Sequence, residues 1–236
     1  MNQSKVQFSF LKKSKSLSAG VLSQFFLPLF FGNLIGRLSY IDKLKRVEVG
    51  VAILWSNLAQ YIPTLFFGCL GLFLWEIPSS GRELFVDHFY LFLISFSVLL
   101  LVLVFYFSTN IFFAKIRIVK NYFSSENKIT TNFKLQLLLF SSFRYCGFVL
   151  QYFLLLSVFE DLSYKIYAPI MVMYLCLTMI PSILFGKLGI REAVSVAIIG
   201  IYLDNATIAV TCSLLVWFIN NVIALVPSFI INSKNI

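Results

Sequence analysis

From Phe89 to Phe113 the chain runs for 25 residues without a charged side chain. A helix rises about 1.5 Å per residue, so this run is longer than the roughly 30 Å hydrocarbon core of a bilayer requires. Four further apolar stretches are predicted to form helices that span: Arg46 to Glu76, Leu135 to Phe159, Ala168 to Phe185 (closing at Pro181), and Ala206 to Ile231. The first of these is overlong, which places its opening turns at the interface, and Pro63 predicts a kink within it. Composition agrees. Of 236 residues, 59% are hydrophobic and only 12% charged, where a soluble domain is about half apolar and a quarter charged. A globule of this size has no interior large enough to hide that excess. The expected fold class is all-α: a polytopic transmembrane helical bundle in a single domain, residues 17–232. Residues 1–16 form a basic tail before it and residues 233–236 a short tail after it.

Two apolar pieces do not read as plain spans. Leu17 to Ile35 is basic on both flanks and broken by Pro28 and Gly32. If both flanks share one side, the run is a re-entrant hairpin, whose irregular backbone must be buried in protein or line a cavity. A plain span with the N-terminus outside is the alternative. Gly186 to Leu203 is likewise short. The two pieces match: Leu27 to Arg37 and Ile180 to Arg191 each place Pro after an aliphatic residue. Each also contains Gly-x-Leu-x-x-Arg, from Gly32 to Arg37 and from Gly186 to Arg191. Paired interrupted segments raise the expectation of an inverted repeat with a substrate site at its axis.

The net charge of +9 is distributed unevenly. Lys5, Lys12, Lys13 and Lys15 precede the first apolar run, and Arg37, Lys43, Lys45 and Arg46 follow it. Lys115, Arg117, Lys120, Lys128 and Lys134 form a third cluster. The loops around Ser79–His88 and Glu160–Lys165 are poor in basic residues and hold Glu83, Asp87, Glu160 and Asp161. This is the positive-inside pattern. It predicts a cytoplasmic N-terminus, basic loops facing anionic lipid, and no nucleic-acid partner.

Charge within the hydrocarbon points to function, because it persists only where it meets a partner or a cavity. Arg144 lies mid-run, and Arg37, Arg191 and Glu192 edge the broken segments. A guanidinium fork matches phosphate oxygens, and helix starts just after Gly32 and Gly186 would aim free N–H groups at an anion. The bland reading of the arginines is structural pairing or interfacial anchoring. Gln60, Gln151, Asn220 and Asn221 are polar residues on apolar helices, for which interhelical hydrogen bonding suffices. Cys69, Cys146, Cys176 and Cys212 lie singly in apolar runs, and His88 is the one histidine. No metal centre, cofactor or catalytic residue is expected. The chain also has no phosphate-binding Gly-Lys-Ser/Thr loop and no extramembrane segment long enough for a nucleotide-binding domain.

Pro28, Gly32, Asn33 and Arg37, followed by the polar spacing Ser56, Gln60, Thr64 and Gly68, resemble the flippase-like family named for the transmembrane region of lysylphosphatidylglycerol synthases. Ile180 to Glu192, with its closing Leu-Gly-Ile-Arg-Glu, and Trp217-x-Ile219-Asn220 also resemble that family. The resemblance covers roughly residues 17 to 232. Asn33 stands where the family usually has Glu, and the family's usual first two helices are lacking, so the resemblance is to a shortened member. It implies a multi-pass protein of the bacterial plasma (inner) membrane that moves a phospholipid or polyprenyl-linked lipid between leaflets. The expected substrate-binding set is Arg37, Arg144, Arg191, Glu192, Gly32, Gly186, Gln60 and Asn220. Its partners would be membrane lipids with anionic headgroups, a second copy of the chain or another membrane protein. The rival expectations are a membrane-embedded glycosyltransferase using a polyprenyl-phosphate donor, and a non-transporting accessory subunit.

Overall fold

A computed structural model describes residues 15–20, 23, 31–42, 46–76, 88–115, 130–180 and 187–223. Among them there is no strand. Residues 15–20 are helical, and seven α-helices follow: α1 (Phe31–Ser39), α2 (Arg46–Leu74), α3 (His88–Lys115), α4 (Thr131–Leu156), α5 (Tyr167–Met179), α6 (Ile190–Ile198) and α7 (Ala206–Asn221). A 3₁₀ turn at Tyr164–Ile166 leads into α5, and another at Gly200–Tyr202 follows α6. Among the described residues three helices are long and apolar enough to cross a membrane: α2 from Val49, α3 over Phe89–Ser108, and α4. The protein is an all-α bundle of the membrane-spanning kind.

The central helix is α2. Of its most apolar window 44% is buried within the protein, against 17% for α3 and α4, whose outer faces are left for lipid. It packs most extensively on α5, and glycine makes that approach close. A Cβ at Gly68 would stand 2.6 Å from Leu175 Cβ, and one at Gly71 2.8 Å from Met171 Cβ. Small residues at helix crossings are how membrane bundles obtain dense packing without a hydrophobic drive between helices. Pro63 is accommodated inside α2. It has no N–H to donate, and Thr64 Oγ1 donates 3.1 Å to the neighbouring Gln60 carbonyl. The core joins Trp55, Ala59 and Ile62 of α2 to Tyr145, Tyr152 and Leu156 of α4, Ile170 and Met173 of α5, and Cys212 and Val216 of α7.

The described limbs of each irregular segment lie together, one pair near each end of α2. Ser16 Oγ donates 2.9 Å to the Arg37 carbonyl. A Cβ on Gly36 would overlap the Ala19 carbonyl, so the limbs before and after the first apolar run lie side by side. Leu38 packs near Gly50, and Arg46 Nε donates 3.0 Å to the Ile41 carbonyl, which puts this hairpin at the basic end. The side-by-side flanks agree with a re-entrant run and not with a crossing; Pro28 itself lies outside the described residues. The second hairpin is α5–α6. It begins at the other end, where Lys165 Nζ meets Glu76 Oε2 at 2.7 Å. It returns there through Tyr202, whose hydroxyl accepts from Trp75 Nε1 at 2.6 Å and donates to the Glu76 carbonyl at 2.7 Å.

That return corrects three expectations. Ala168 to Phe185 is not a span. The helix stops at Met179 because Ile180, preceding Pro181, takes an extended backbone (φ −78°, ψ 119°), as the proline ring requires of its predecessor. With its 3₁₀ lead-in the limb reaches about 24 Å, short of the roughly 30 Å core. Neither helix start lies just after the motif glycine: Gly32 is inside α1, and α6 begins at Ile190 behind Gly189. Lys134, counted with the basic loop, is only 2% exposed. The helix begins at Thr131, with Thr130 Oγ1 accepting the Phe133 N–H at 3.4 Å, and its first turn carries the lysine into the bundle. There Nζ donates 3.0 Å to the Tyr106 carbonyl and sits 4.7 Å over the Trp55 ring, while Tyr106 Oη donates 3.0 Å to the Lys134 carbonyl. Residues 116–129 of the third basic cluster's loop, and the last expected helix beyond residue 223, lie outside the described residues.

Candidate functional site

Arg144 is the fourteenth of the 26 residues of α4, so its backbone sits midway along a spanning helix. Its Nη1 donates 2.6 Å to Gln60 Oε1, the fifteenth of the 29 residues of α2. Its guanidinium also lies 5.2 Å over the Phe148 ring. Two residues expected to act together are therefore joined directly across two helices. The first hairpin supplies a third: the Arg37 guanidinium lies within the electrostatic reach of Arg144. Among the described residues neither arginine has a carboxylate partner. Arg37 Nε and, one turn before Gln60 on α2, Asn57 Nδ2 are buried without a hydrogen-bond partner.

The polar stripe continues along one flank of α4. Ser141, Arg144, Phe148 and Gln151 recur at helical spacing, while Tyr145, Val149, Tyr152 and Leu156 form the buried face beside them. Gln151 Oε1 accepts 3.0 Å from Asn220 Nδ2 of α7. Its neighbour Tyr152 donates 3.3 Å to the Ala209 carbonyl of the same helix. Adjacent residues of α4 therefore touch α7 at points eleven residues apart, so α7 crosses α4 obliquely. Asn220 enters the stripe two helical turns from Arg144 and is not in contact with it.

Arg191 belongs to a neighbouring group. It interacts with the Tyr174 hydroxyl and lies in the field of Tyr152. Tyr174 reaches back toward Arg144 by way of Phe148, the two rings lying 6.4 Å apart. Tyr152 and Ser195 hydroxyls share a hydrogen bond, and Ser195 Oγ donates 3.0 Å to the Ala209 carbonyl, tying α4, α6 and α7 in a buried knot. Burial raises the cost of leaving such hydroxyls unpaired.

The break between α5 and α6 is closed by its own charges. Lys187 Nζ donates to the Leu177 carbonyl and, at 2.9 Å, to the Ile180 carbonyl. These are orphan acceptors at the negative end of α5. Lys187 reaches them from a left-handed backbone, φ 67°, followed at Gly189 by φ 86°. At the positive end of α6, Glu192 Oε2 accepts the Gly189 N–H. The glutamate thus satisfies the N–H of the capping residue itself, one position before the helix. Glu192 serves as a helix cap and not as a counter-charge beside Arg144. Gly186 lies outside the described residues.

The arginines and Gln60 were legible as charge and amide inside apolar runs. Lys187, Asn57 and Tyr174 were not, since each takes its place from tertiary geometry. Among the described residues no group of His, Cys, Asp and Glu side chains is arranged to hold a metal ion. No protein-family model, curated protein or solved structure matches the chain.

Proposed function

We propose that this chain is a lipid-handling membrane protein that seats an anionic headgroup between Arg37 and Arg144 and moves the lipid between leaflets. The observation that carries this reading is Arg144, a guanidinium midway along a spanning helix, with Arg37 of the first hairpin in its electrostatic field and no carboxylate partner for either among the described residues. Placing even one arginine at that depth costs about 2.5–3.5 kcal/mol on insertion scales, and a second of like charge adds repulsion. Phosphate oxygens compensate both, because guanidinium forks bind them in pairs. Gln60 holds Arg144 in place. Asn220 of α7 extends the polar path along α4, and Arg191 of α6 belongs to the adjoining Tyr174–Tyr152 group.

Translocation is supported by the two opposed hairpins and by the resemblance of their motifs to the flippase-like family of the lysylphosphatidylglycerol synthase transmembrane region. The charge pattern favours a bacterial inner-membrane protein with its Arg46 end in the cytoplasm. The competing glycosyltransferase reading needs a free carboxylate base. Glu192 is engaged as a cap and Glu160 Oε1 accepts the Asp204 N–H at 3.2 Å, which leaves the Asp161 and Asp204 carboxylates as the candidates for that role.

The test is reconstitution into liposomes with a fluorescent anionic phospholipid and a membrane-impermeant quencher. The wild-type protein should expose inner-leaflet probe faster than empty liposomes, and Arg37→Ala or Arg144→Ala should abolish the difference. Wild-type vesicles that behave like empty ones would end the translocase reading.

A further inference from the structure

Resting on the lipid-handling reading above, we propose that the polar stripe of α4 is open to the bilayer from the side, so that a lipid engages it by its headgroup alone and keeps its acyl chains among its neighbours. Exposure draws the lipid-facing arc of α4. Phe140 and Phe143 are each 69% exposed, and Leu150 and Leu154 are exposed with them. A Cβ on Gly147, on the same arc, would touch nothing within 4 Å. The opposite arc, Tyr145, Val149, Tyr152 and Leu156, is buried. The polar stripe lies on the border between the two. Arg144 is itself exposed, and Ser141, Phe148 and Gln151 are half-buried. A site enclosed by protein would set its charge on the buried arc. Here the charge stands on the edge that acyl chains reach.

The stripe is backed from inside at two points. Arg144 Nη1 donates 2.6 Å to Gln60 Oε1 of α2, and Gln151 Oε1 accepts 3.0 Å from Asn220 Nδ2 of α7. From Arg144 to Gln151 the helix rises about 10 Å. Between them the guanidinium lies 5.2 Å over the Phe148 ring, so the side chain spans the apolar position of the stripe. The amide holds one edge of the guanidinium and the ring covers one face. Its outward N–H groups are left to what the bilayer supplies. Acyl chains offer them no acceptor, and a charge at that depth persists only where polar matter reaches it. A headgroup moving along the flank of α4, with the water it carries, meets that need. The path is then a groove with one wall missing, and its substrate is recognised by an anionic headgroup and not by its chains.

The test reads the two phases separately. In a background lacking the four cysteines, a nitroxide is attached through Ser141→Cys on the stripe, Phe143→Cys on the lipid-facing arc and Val149→Cys on the packed face. Each protein is reconstituted in liposomes. Collisions are then measured with oxygen, which concentrates among acyl chains, and with a water-soluble nickel chelate. The Ser141 position should match Phe143 within about twofold in oxygen collisions and exceed it about threefold in nickel collisions, since a charge at that depth draws in water. The Val149 position should be low in both. At Ser141, nickel without oxygen would mean an aqueous cavity walled off from lipid. Oxygen without nickel would mean a plain lipid-facing surface, and neither would mean a flank covered by protein. Each of these three results overturns the open groove. The unaltered protein gives a second reading, which misfolding of a variant cannot mask. A phospholipid carrying a diazirine midway along its acyl chain should, on illumination, label Arg144 together with Phe143 and spare Tyr145. Labelling of Phe143 without Arg144 would equally overturn the groove. Neither measurement requires transport. Vesicles that move no lipid while the Ser141 position meets both probes would end translocation and leave the groove standing.

Discussion

Arg144 of α4 donates 2.6 Å to Gln60 of α2, a contact between residues 84 positions apart in the chain. It fixes a guanidinium without neutralising it. An amide accepts the hydrogen bond and leaves the positive charge available to a ligand. Gln60→Glu should therefore keep the contact and even strengthen it, yet suppress anionic-lipid binding by supplying an internal counter-charge. Gln60→Leu should leave the donor unpaired, costing about 1–3 kcal/mol of stability. In the Glu variant the melting temperature should hold or rise while lipid binding falls; in the Leu variant both should fall. A Glu variant that binds anionic lipid as well as wild type would sink this account of the pair.

The α2–α5 crossing depends on Gly68. Gly68→Ala should lower stability by about 1–3 kcal/mol, because the added methyl group meets the Leu175 side chain. Gly147 of α4 is the internal control: a Cβ there meets nothing within 4 Å. Gly147→Ala should be neutral or stabilising by about 0.5–1 kcal/mol from helix propensity alone. Thermal unfolding in detergent reads both. Equal losses at the two positions would mean that close approach is not what selects glycine at 68.

Lys187→Met keeps the length of the side chain and removes its donors. The Leu177 and Ile180 carbonyls then lose their cap, and a loss of about 1–3 kcal/mol is expected. Lys187→Arg should recover much of it. Should the Met variant melt with the wild-type protein, the lysine is not what closes the break.

The hairpins predict sidedness. In a background lacking Cys69, Cys146, Cys176 and Cys212, cysteines at Ser16 and Ser39 should react with an impermeant reagent from one face of the membrane. Cysteines at Glu76 and Asp204 should react from the other face. Labelling of positions 16 and 39 from opposite faces would restore a crossing for the first apolar run.

The long helices were readable because length and apolarity are local properties, and α2, α3 and α4 follow the expected stretches closely. The shortness of α5 was not readable in the same way: apolar residues continue to Phe185, and only Pro181 marks the stop. Lys134 was misassigned because sequence proximity to Lys128 grouped it with a solvated loop, whereas the start at Thr131 rotates it beneath Trp55. Arg144 was conspicuous as a charge in an apolar run. Its partner was not, since pairing across two helices depends on how they pack. The backbone treats the matched Gly-x-Leu-x-x-Arg motifs differently: Gly32 to Arg37 is continuous helix, whereas Lys187 and Gly189 of the second motif take left-handed conformations.

The charges that close the α5–α6 break also bear on permeability. An interrupted helix at half depth exposes carbonyls and amides that draw in water, and a file of water carries protons across a bilayer. Here, among the described residues, the hairpin's own lysine and glutamate occupy two such carbonyls and one amide, which then do not have to hydrate to be stable. An irregular backbone can therefore sit deep in the membrane without becoming a proton leak, and the energised membrane around it stays sealed.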